Sequence, residues 1–474
     1  MWPIRLRSVV IPAVSVSFWL TYGLTRGAIN HGDSLSYIAL ADALSRHTLI
    51  PSVRTPGYPL IILAARLAGR ALATEPMRLL VIGQVVLLSG VATWLLWDLV
   101  HRMTGNNCAA ALAALIIAAD ADLQHFTSAI LTEAPSVALS VLVLWLRIRD
   151  SGWARAGWAM AALVLIRPNF VVLPVLYAAW EAIYSRKVRT LALALAPTVV
   201  IISAWFLLNT ISGTDAMAPA RHFGPLHLFG KVYDSALWRQ LPEGSDKRII
   251  ADAKQNGLDV YEAAQLLTAN RDWQYLSRPA RAAFGVAPLL FLGSVASSMP
   301  LEVTQGCYWP EGAVAWAYRW RWIFYWRWGY RHMFYHSALI FALLCVAGTI
   351  NGLGWRDAVT PLRHVVAPFV AALVVSTAAW SLGTESVGRL ALALHPINAM
   401  LWALMLVTGW RMVRVGSSCL VSLVSEGKGC TAPGSLDTRA VPDGEAYAGG
   451  TMRTGQASLE ILWKGCAVEW THRA

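Results

Sequence analysis

Residues 79–100 read LLVIGQVVLLSGVATWLLWDLV, an apolar run in which Asp98 is the one charged side chain. Each residue of an α-helix adds about 1.5 Å, so a run of this length crosses the roughly 30 Å hydrocarbon core of a bilayer. The run therefore predicts a membrane-spanning helix.

The rest of the chain has the same apolar character. Of its 474 residues, 56% are hydrophobic and only 14% are charged, and 23 are tryptophans. An ordinary soluble domain carries about 25% charged residues, so this composition excludes a soluble enzyme, a secreted protein and a transcription factor. We predict an all-α polytopic membrane protein with a bundle of about 10–12 transmembrane helices.

Further apolar stretches supply the other candidate spans, which are 9–24, 108–119, 134–146, 157–166, 170–183, 191–211, 338–353, 365–382 and 397–413. The first follows Arg5 and Arg7 and is long enough to resemble a signal peptide, but it lacks a small-x-small cleavage site. We therefore interpret it as a retained first span.

Charge and cysteine content narrow the possible partners. The net charge of +12 comes from basic residues at the ends of apolar stretches rather than in runs. That placement is typical of membrane topology signals and not of a nucleic-acid surface. The six cysteines are far apart, without a CxxC or Cys/His cluster, so neither a disulfide framework nor a zinc site is indicated. We expect membrane lipids, and no nucleic acid, as partners.

The basic residues also predict the orientation of the chain, because short cytoplasmic loops are enriched in Lys and Arg. If the N-terminus is cytoplasmic, this threading of the chain through the membrane places five segments on the extracytoplasmic side: 26–78, 120–132, 167–169, 212–336 and 384–396. The apolar piece 284–299 fits this threading in three ways: it is re-entrant, it lies in the interface, or it pairs with a second crossing near 314–328.

Three segments differ in composition from the spans of the transmembrane domain, which we assign to 1–415. Residues 212–283 mix polar and charged side chains and predict a small extracytoplasmic helical subdomain. Residues 308–335 interleave Trp with Arg, as at the headgroup level of a membrane; stacking on nucleic-acid bases uses the same residue types, but an apolar chain favours lipid. Residues 416–474 are rich in Gly, Ser and Thr and predict a disordered cytoplasmic tail.

The first outer loop, 26–78, contains the main candidates for catalytic and binding residues. It contains HGDSLSYIALA at 31–41, where Asp33 or Ser34 can cap an amphipathic helix that runs to about residue 46 along the membrane interface. Tyr37 follows Asp33 by four positions, close enough on a helix to support it. A simpler interpretation is that Asp33 is only a helix cap.

The same loop continues with PSVRTPGYPL at 51–60. Pro56 and Pro59 restrict Thr55 and Tyr58 to extended conformations, so a stiff segment presents Arg54. A guanidinium held in this way suits the grip of a phosphate. The alternative is that Arg54 only anchors the loop among lipid headgroups.

These elements resemble the GT-C superfamily of glycosyltransferases, polytopic enzymes that use polyprenyl-phosphate sugars, and within it the bacterial relatives of protein O-mannosyltransferases and aminoarabinose transferases (glycosyltransferase family 39-like). Those families show an Asp after the first span, a Tyr shortly after it, and a basic-x-Pro-x-Tyr-Pro element in the same loop. The further matches are Thr132-Glu133-Ala134-Pro135, Arg167-Pro168 and, ahead of His395-Pro396, Gly388-Arg389.

The resemblance implies a GT-C-type bundle in the bacterial cytoplasmic (inner) membrane with its active site on the extracytoplasmic face. Asp33 is then the catalytic base for an acceptor hydroxyl, because a phosphate leaving group needs no general acid. Arg54 and Arg389 would hold the donor phosphate with support from Tyr37 and Tyr58. Glu133 would be a second acidic element, Arg167 a further candidate ligand, and His395 a structural residue. The acceptor, whether lipid, glycan or protein, is not specified.

A divalent metal is possible but is not favoured, and no other cofactor is expected. Many family members carry a second acidic residue directly after the first, where this chain has Ser34. Asp33 alone offers too few oxygens for a metal, and Asp120 and Asp122 in the second outer turn are the candidates that would complete a site. We therefore expect metal-independent transfer.

Two other classes share this hydropathy. A transporter or flippase of lipid-linked substrates is the main alternative, although such proteins usually show inverted repeats, and no convincing repeat is found. A non-catalytic scaffold would not need Asp33, Arg54 and Glu133 at one membrane face.

Cysteine labelling tests the predicted topology. On a background without the six native cysteines, single cysteines at positions 33 and 240 should react with a membrane-impermeant maleimide from the extracytoplasmic side, while one at position 187 should react only after permeabilisation. Labelling of position 33 only from the cytoplasm would contradict both the threading and the mechanism.

Overall fold

The computed structural model describes residues 2–30, 34–46, 48, 54–149, 152–186, 188–211, 224–292, 362–373 and 392–407, with residues 410 and 417. Within these ranges the chain is helical, and the one β-type pairing is an isolated parallel bridge between Ile29 and Ala129. The prediction of an all-α fold is confirmed for this part of the chain.

The α-helices follow one another with short connections. Their bounds are α1 Trp2–Arg26, α2 Ser34–Ser45, α3 Gly57–Ala71, α4 Pro76–Val85, α5 Thr93–Thr104, α6 Asn107–Ala118, α7 Ala121–His125, α8 Glu133–Ile148, α9 Trp153–Ile166, α10 Val172–Ser185, α11 Val188–Ile211, α12 Gly224–Asp234, α13 Ser245–Gln255, α14 Val260–Thr268 and α15 Ser277–Val286. Two further apolar helical stretches run over His364–Leu373 and Leu392–Val407.

Three of the described helices are long and apolar enough to cross a membrane. They cover Ser8–Arg26, Pro76–Thr104 and Arg189–Ile211, and they coincide with the predicted spans 9–24, 79–100 and 191–211. The other described apolar helices are shorter, and the predicted span 338–353 lies outside the described residues. The total of about 10–12 crossings therefore stays a prediction.

The longest span is not a uniform α-helix. Between α4 and α5 the chain adopts a π-helical segment, Val86–Ala92, that contains Ser89 and Gly90. A π-turn adds a residue to a helical turn, and such turns are frequent at functional sites. Ser89 lies fully buried there and donates a hydrogen bond to Gln124 Oε1, so the widened turn faces the connection between α6 and α8.

Local sequence explains the tight reversal between α5 and α6. Gly105 ends α5 in the left-handed conformation (φ 63°), which glycine adopts without a Cβ penalty. Asn106 then caps α6, because its side-chain oxygen accepts the backbone N–H groups of Cys108 and Ala109. The two helices consequently pack against each other along their length.

The first outer loop contains two helices. The expected helix after Asp33 is present as α2, with Tyr37, Leu40 and Ala41 on its buried face. The expected extended conformation of Tyr58 is wrong, because Tyr58 lies in the first turn of α3. Proline is tolerated there, since the first N–H groups of a helix have no intrahelical partner. The helix α3 itself was not anticipated.

A central helix organises the bundle core. α8 packs against α5, α9, the π-helical segment and the stretches after residue 362. Ten of its residues are buried, including Ala134, Ala138 and Val141. Small residues at such a position let neighbouring helices approach closely.

The described part of the polar stretch between the spans, 224–292, is helical and has its own buried core. The described part begins at α12 and continues past α15, and its buried residues include Phe229, Leu267, Leu276 and Phe291. Asp259 and Glu262 form a reciprocal capping box at the start of α14.

Two helix glycines offer a matched test of the packing. A Cβ at Gly157 of α9 would lie 2.6 Å from the Leu193 carbonyl oxygen of α11, whereas nothing lies within 4 Å of one at Gly83 of α4. Gly157→Ala should therefore destabilise the fold by about 1–3 kcal/mol through overpacking. Gly83→Ala should be neutral or slightly stabilising, because alanine favours helices.

Thermal unfolding of both variants in one detergent would measure this difference. Equal midpoints for the two variants would contradict the close α9–α11 contact.

Candidate functional site

The first two segments predicted to lie outside the membrane meet at one end of the helical bundle. Ile29, directly after α1, pairs with the turn before α8: its N–H donates to the Ser128 carbonyl at 2.8 Å and its carbonyl accepts the Ile130 N–H at 3.0 Å. Ser34, the first residue of α2, donates from Oγ to the Ile130 carbonyl at 2.9 Å. The first and second outer segments are thus joined, while their side of the membrane stays a prediction.

Arg54 is held by the helix that begins at Ser34. Its Nε donates to Ser36 Oγ at 3.1 Å, and its guanidinium carbon lies 4.9 Å from the centre of the Tyr37 ring. A cation over an aromatic face is favourable and fixes the plane of the guanidinium. The structure thereby brings together Arg54 and Tyr37, two of the predicted donor-binding residues.

Tyr58 belongs to the same cluster but faces the bundle. Its ring packs edge-on against Tyr37 at 5.2 Å, and its hydroxyl donates to Gln84 Oε1 at 3.1 Å. Gln84 in turn donates to the carbonyl oxygens of Thr127 and Ala129, each at 3.0 Å. The amide therefore ties α4 to the outer turn and to α3.

Tyr58 stays protonated in this setting. Burial and the nearby Glu133 carboxylate raise the pKa of the Tyr58 phenol well above its usual value, since both disfavour a phenolate. The hydroxyl is consequently a permanent hydrogen-bond donor at physiological pH. We assign it a positioning role in the cluster.

Glu133 forms the buried acidic element of the site. It begins α8, it is fully buried, and its Oε1 lies 3.4 Å from Nη2 of Arg167, which follows α9. A buried carboxylate is expensive without a partner charge, so Arg167 is explained first as the partner of Glu133.

A glycine brings the Arg54 segment against this ion pair. An added Cβ at Gly57 would lie 2.5 Å from the Leu165 carbonyl oxygen and 2.7 Å from the Ile166 nitrogen. The chain carrying Arg54 and Tyr58 thus rests directly on the last turn of α9, next to Arg167. This contact gathers residues from three separate segments.

In the second outer turn, the Asp120 carboxylate bonds to other groups of the protein. Asp120 Oδ1 accepts the Leu123 N–H at 3.0 Å and caps α7, and Oδ2 lies 2.5 Å from Nδ1 of His395. Both oxygens are engaged within the protein, and both residues are buried. His395 therefore links the turn to the helical stretch Leu392–Val407. Among the described residues no group of three potential metal ligands is found, and the Asp122 side chain is not described.

A third arginine at this end was not anticipated from the sequence. Arg26, the last residue of α1, donates to the Tyr22 hydroxyl at 2.9 Å and contacts Nδ1 of His125 at 2.5 Å. The available signal was an arginine that ends a span on the side where basic residues are disfavoured. Gln84 had a similar signal, as an amide within an apolar run.

Other predicted elements lie outside the described residues. They are the catalytic candidate Asp33, the phosphate ligand candidate Arg389, the Trp/Arg-rich segment 308–335 and nearly all of the tail 416–474. Ser34, which directly follows Asp33 in sequence, is the nearest described residue to the proposed base.

Comparison of the sequence with models of known protein families and with curated proteins finds no match.

The buried Glu133–Arg167 pair predicts that substitutions of the two residues have strongly coupled effects on the free energy of unfolding. Arg167→Gln alone should cost about 3–5 kcal/mol, because it removes the cation that lies beside a buried carboxylate. The double variant Glu133→Gln with Arg167→Gln should recover much of that loss. Glu243→Gln is a control, since its lysine partner Lys247 lies in an exposed pair of the subdomain, and it should change little.

Thermal or denaturant unfolding of the single variants Glu133→Gln and Arg167→Gln and of the double variant gives the coupling free energy. Additive effects of the two single substitutions would contradict a direct buried ion pair.

Proposed function

We propose that the protein is an integral membrane glycosyltransferase of the GT-C type. It moves a sugar from a polyprenyl-phosphate-linked donor to an extracytoplasmic acceptor during biosynthesis of the bacterial cell envelope. The acceptor is a lipid, a glycan or a protein.

One observation carries the proposal: the packing of Gly57 on the last turn of α9. It gathers Arg54 with the buried pair of Glu133 and Arg167, so that two arginines and one carboxylate lie at a single end of an apolar bundle. Glu133 and Arg167 form a buried ion pair, whereas Arg54 is half-buried and is oriented by Ser36 and by the ring of Tyr37. A guanidinium at the edge of a membrane protein suits a lipid-linked phosphate.

The reaction needs few protein groups. The acceptor hydroxyl oxygen attacks the anomeric carbon and forms the new glycosidic bond, while the bond between that carbon and the phosphate oxygen breaks. The electron pair of the broken bond leaves with polyprenyl phosphate, and the hydroxyl proton passes to the Asp33 carboxylate. A phosphate leaves without protonation, so a second carboxylic acid is not required.

Arg54 and Arg389 stabilise the charge that develops on the leaving phosphate. The Tyr37 ring packs against the Arg54 guanidinium, and the Tyr58 hydroxyl ties the segment that carries Arg54 to Gln84. Glu133 keeps Arg167 in place at the base of the site. In this assignment Asp33 is catalytic, the two phosphate-facing arginines bind the donor, and the remaining residues are positioning residues.

The membrane helices suit the donor. Three described helices are long and apolar enough to cross a bilayer, and a polyprenyl tail partitions into the same hydrocarbon. The sugar phosphate then sits at the membrane surface, level with the outer loops. No metal is needed for this route, and a divalent ion remains an alternative to be tested with a chelator.

Arginine and aspartate variants test the proposal on purified protein. Arg54→Ala should weaken binding of a polyprenyl-phosphate sugar about ten- to a hundredfold, because hydrogen bonds to charged groups contribute about 1.5–3 kcal/mol. Arg54→Lys should restore only part, since an ammonium lacks the planar fork. Asp33→Asn should abolish release of polyprenyl phosphate but retain donor binding. Arg70→Ala, at the exposed end of α3, is the matched control.

The transporter alternative gives a different pattern. A flippase would be favoured by two results together. The variants would bind donor and release polyprenyl phosphate no differently from the unsubstituted protein, and substrate would still cross the membrane of proteoliposomes that contain Asp33→Asn. Binding of no donor from a panel of polyprenyl-phosphate sugars would remove the glycosyltransferase assignment.

A further inference from the structure

The helical unit between the spans ends in an exposed apolar surface. Its large side chains point to solvent although the unit buries its own core, and Leu289 is 83% exposed. We call this surface the apolar edge and define it by the exposed residues Phe284, Val286, Leu289, Leu290 and Leu292. Soluble surfaces rarely expose so many large apolar side chains within one short segment.

Charge changes abruptly at the start of this edge. From residue 282 to residue 292 the sequence reads AAFGVAPLLFL, without a polar side chain. Directly before it, α15 carries Arg278 and Arg281, which are both exposed. Arg278 also contacts Asp246 at 3.8 Å, and Arg281 donates to Ser277 at 3.3 Å.

The edge is built as a firm surface rather than a loose chain end. Phe291 is buried in the core of the unit and meets Phe284 edge-on at 5.8 Å. Ala280 and Ala283 anchor α15 to the same core. The exposed leucines are therefore presented in a fixed direction by buried neighbours.

We propose that the apolar edge lies in the outer leaflet of the membrane, with Arg278 and Arg281 at the level of the lipid phosphates. The order of one basic turn followed by large apolar side chains matches the profile of an interface, where cations face headgroups and leucines reach the acyl chains. Anionic headgroups also complement the two arginines.

Chain connectivity keeps the unit near the membrane. α11 ends at Ile211 and α12 begins at Gly224, and the residues between them reach at most about 45 Å when fully extended. The start of the unit therefore stays within about 45 Å of the end of the apolar helix α11. Of the three alternatives that the sequence left open for 284–299, this inference selects an interfacial position for the described part, 284–292. It does not depend on the proposed enzymatic function.

Spin-label accessibility tests the position of the edge. The full-length protein, with its six cysteines replaced by alanine, would carry a nitroxide at position 289 or 292, and the control label would replace the exposed Gln265 of α14. The protein would be placed in nanodiscs of phosphatidylethanolamine and phosphatidylglycerol. Collision rates with oxygen, which concentrates in lipid, and with a water-soluble nickel chelate would then be measured.

Lipid contact predicts an oxygen-to-nickel collision ratio several-fold higher at 289 and 292 than at 265. Low rates with both reagents at 289 and 292 would mean that another part of this chain or a second copy covers the edge, and a high nickel rate would mean that it faces water. Either result would overturn the inference. Unchanged unfolding midpoints of the labelled proteins would show that the substitutions preserve the fold.

Discussion

A carboxylate at the start of an apolar helix needs a cation, and Glu133 finds one in Arg167. Much of the described site depends on that requirement, because the ion pair fixes the start of α8 against the end of α9. The end of α9 then supports Gly57, and Gly57 carries the segment with Arg54 and Tyr58. In a bilayer the penalty for an unpaired charge is hard to avoid by exposure to water. One electrostatic constraint is thus passed on through backbone contacts to the surface of the molecule.

Polar contacts collect at the two ends of the bundle. At the far end of α8, Arg147 pairs with Glu181 at 3.6 Å and stacks on the Trp153 ring at 3.8 Å. Arg147 lies about 21 Å along α8 from Glu133, given a rise of 1.5 Å per residue. The region between is dominated by alanine, valine and leucine. Charge at both ends and apolar packing between them is the distribution that a membrane imposes on a helix.

The sequence predicted the features that follow from composition and periodicity. The apolar spans 79–100 and 191–211 and the helix after Asp33 were predictable, because long apolar runs and a cap leave local signals. The pairing of Asp120 with His395 was not, since the two residues are 275 positions apart and only the tertiary fold brings them together. The helical state of Tyr58 was missed because two prolines suggested an extended segment, yet both fit at the beginning of a helix. The contact between Arg54 and Tyr37 lies between these cases. The sequence identified both residues as candidates, but no local pattern indicated that they touch.

The π-helical segment sets the rotational phase of the longest span. In a regular α-helix Gln84 and Ser89 would point about 140° apart, because each residue turns the chain by about 100°. The wider turn at Val86–Ala92 lets both side chains reach the same outer connection, where Gln84 meets Thr127 and Ser89 meets Gln124. The wider turn therefore absorbs one extra residue, and the half of the span that follows it, with Asp98 bonded to Trp145, keeps the angular setting of a regular helix that is one residue shorter. A single-residue deletion in this turn would restore ordinary α-helical turns and leave the two halves in phase. A further insertion that the helix does not absorb in a wider turn would rotate one half by about 100° relative to the other.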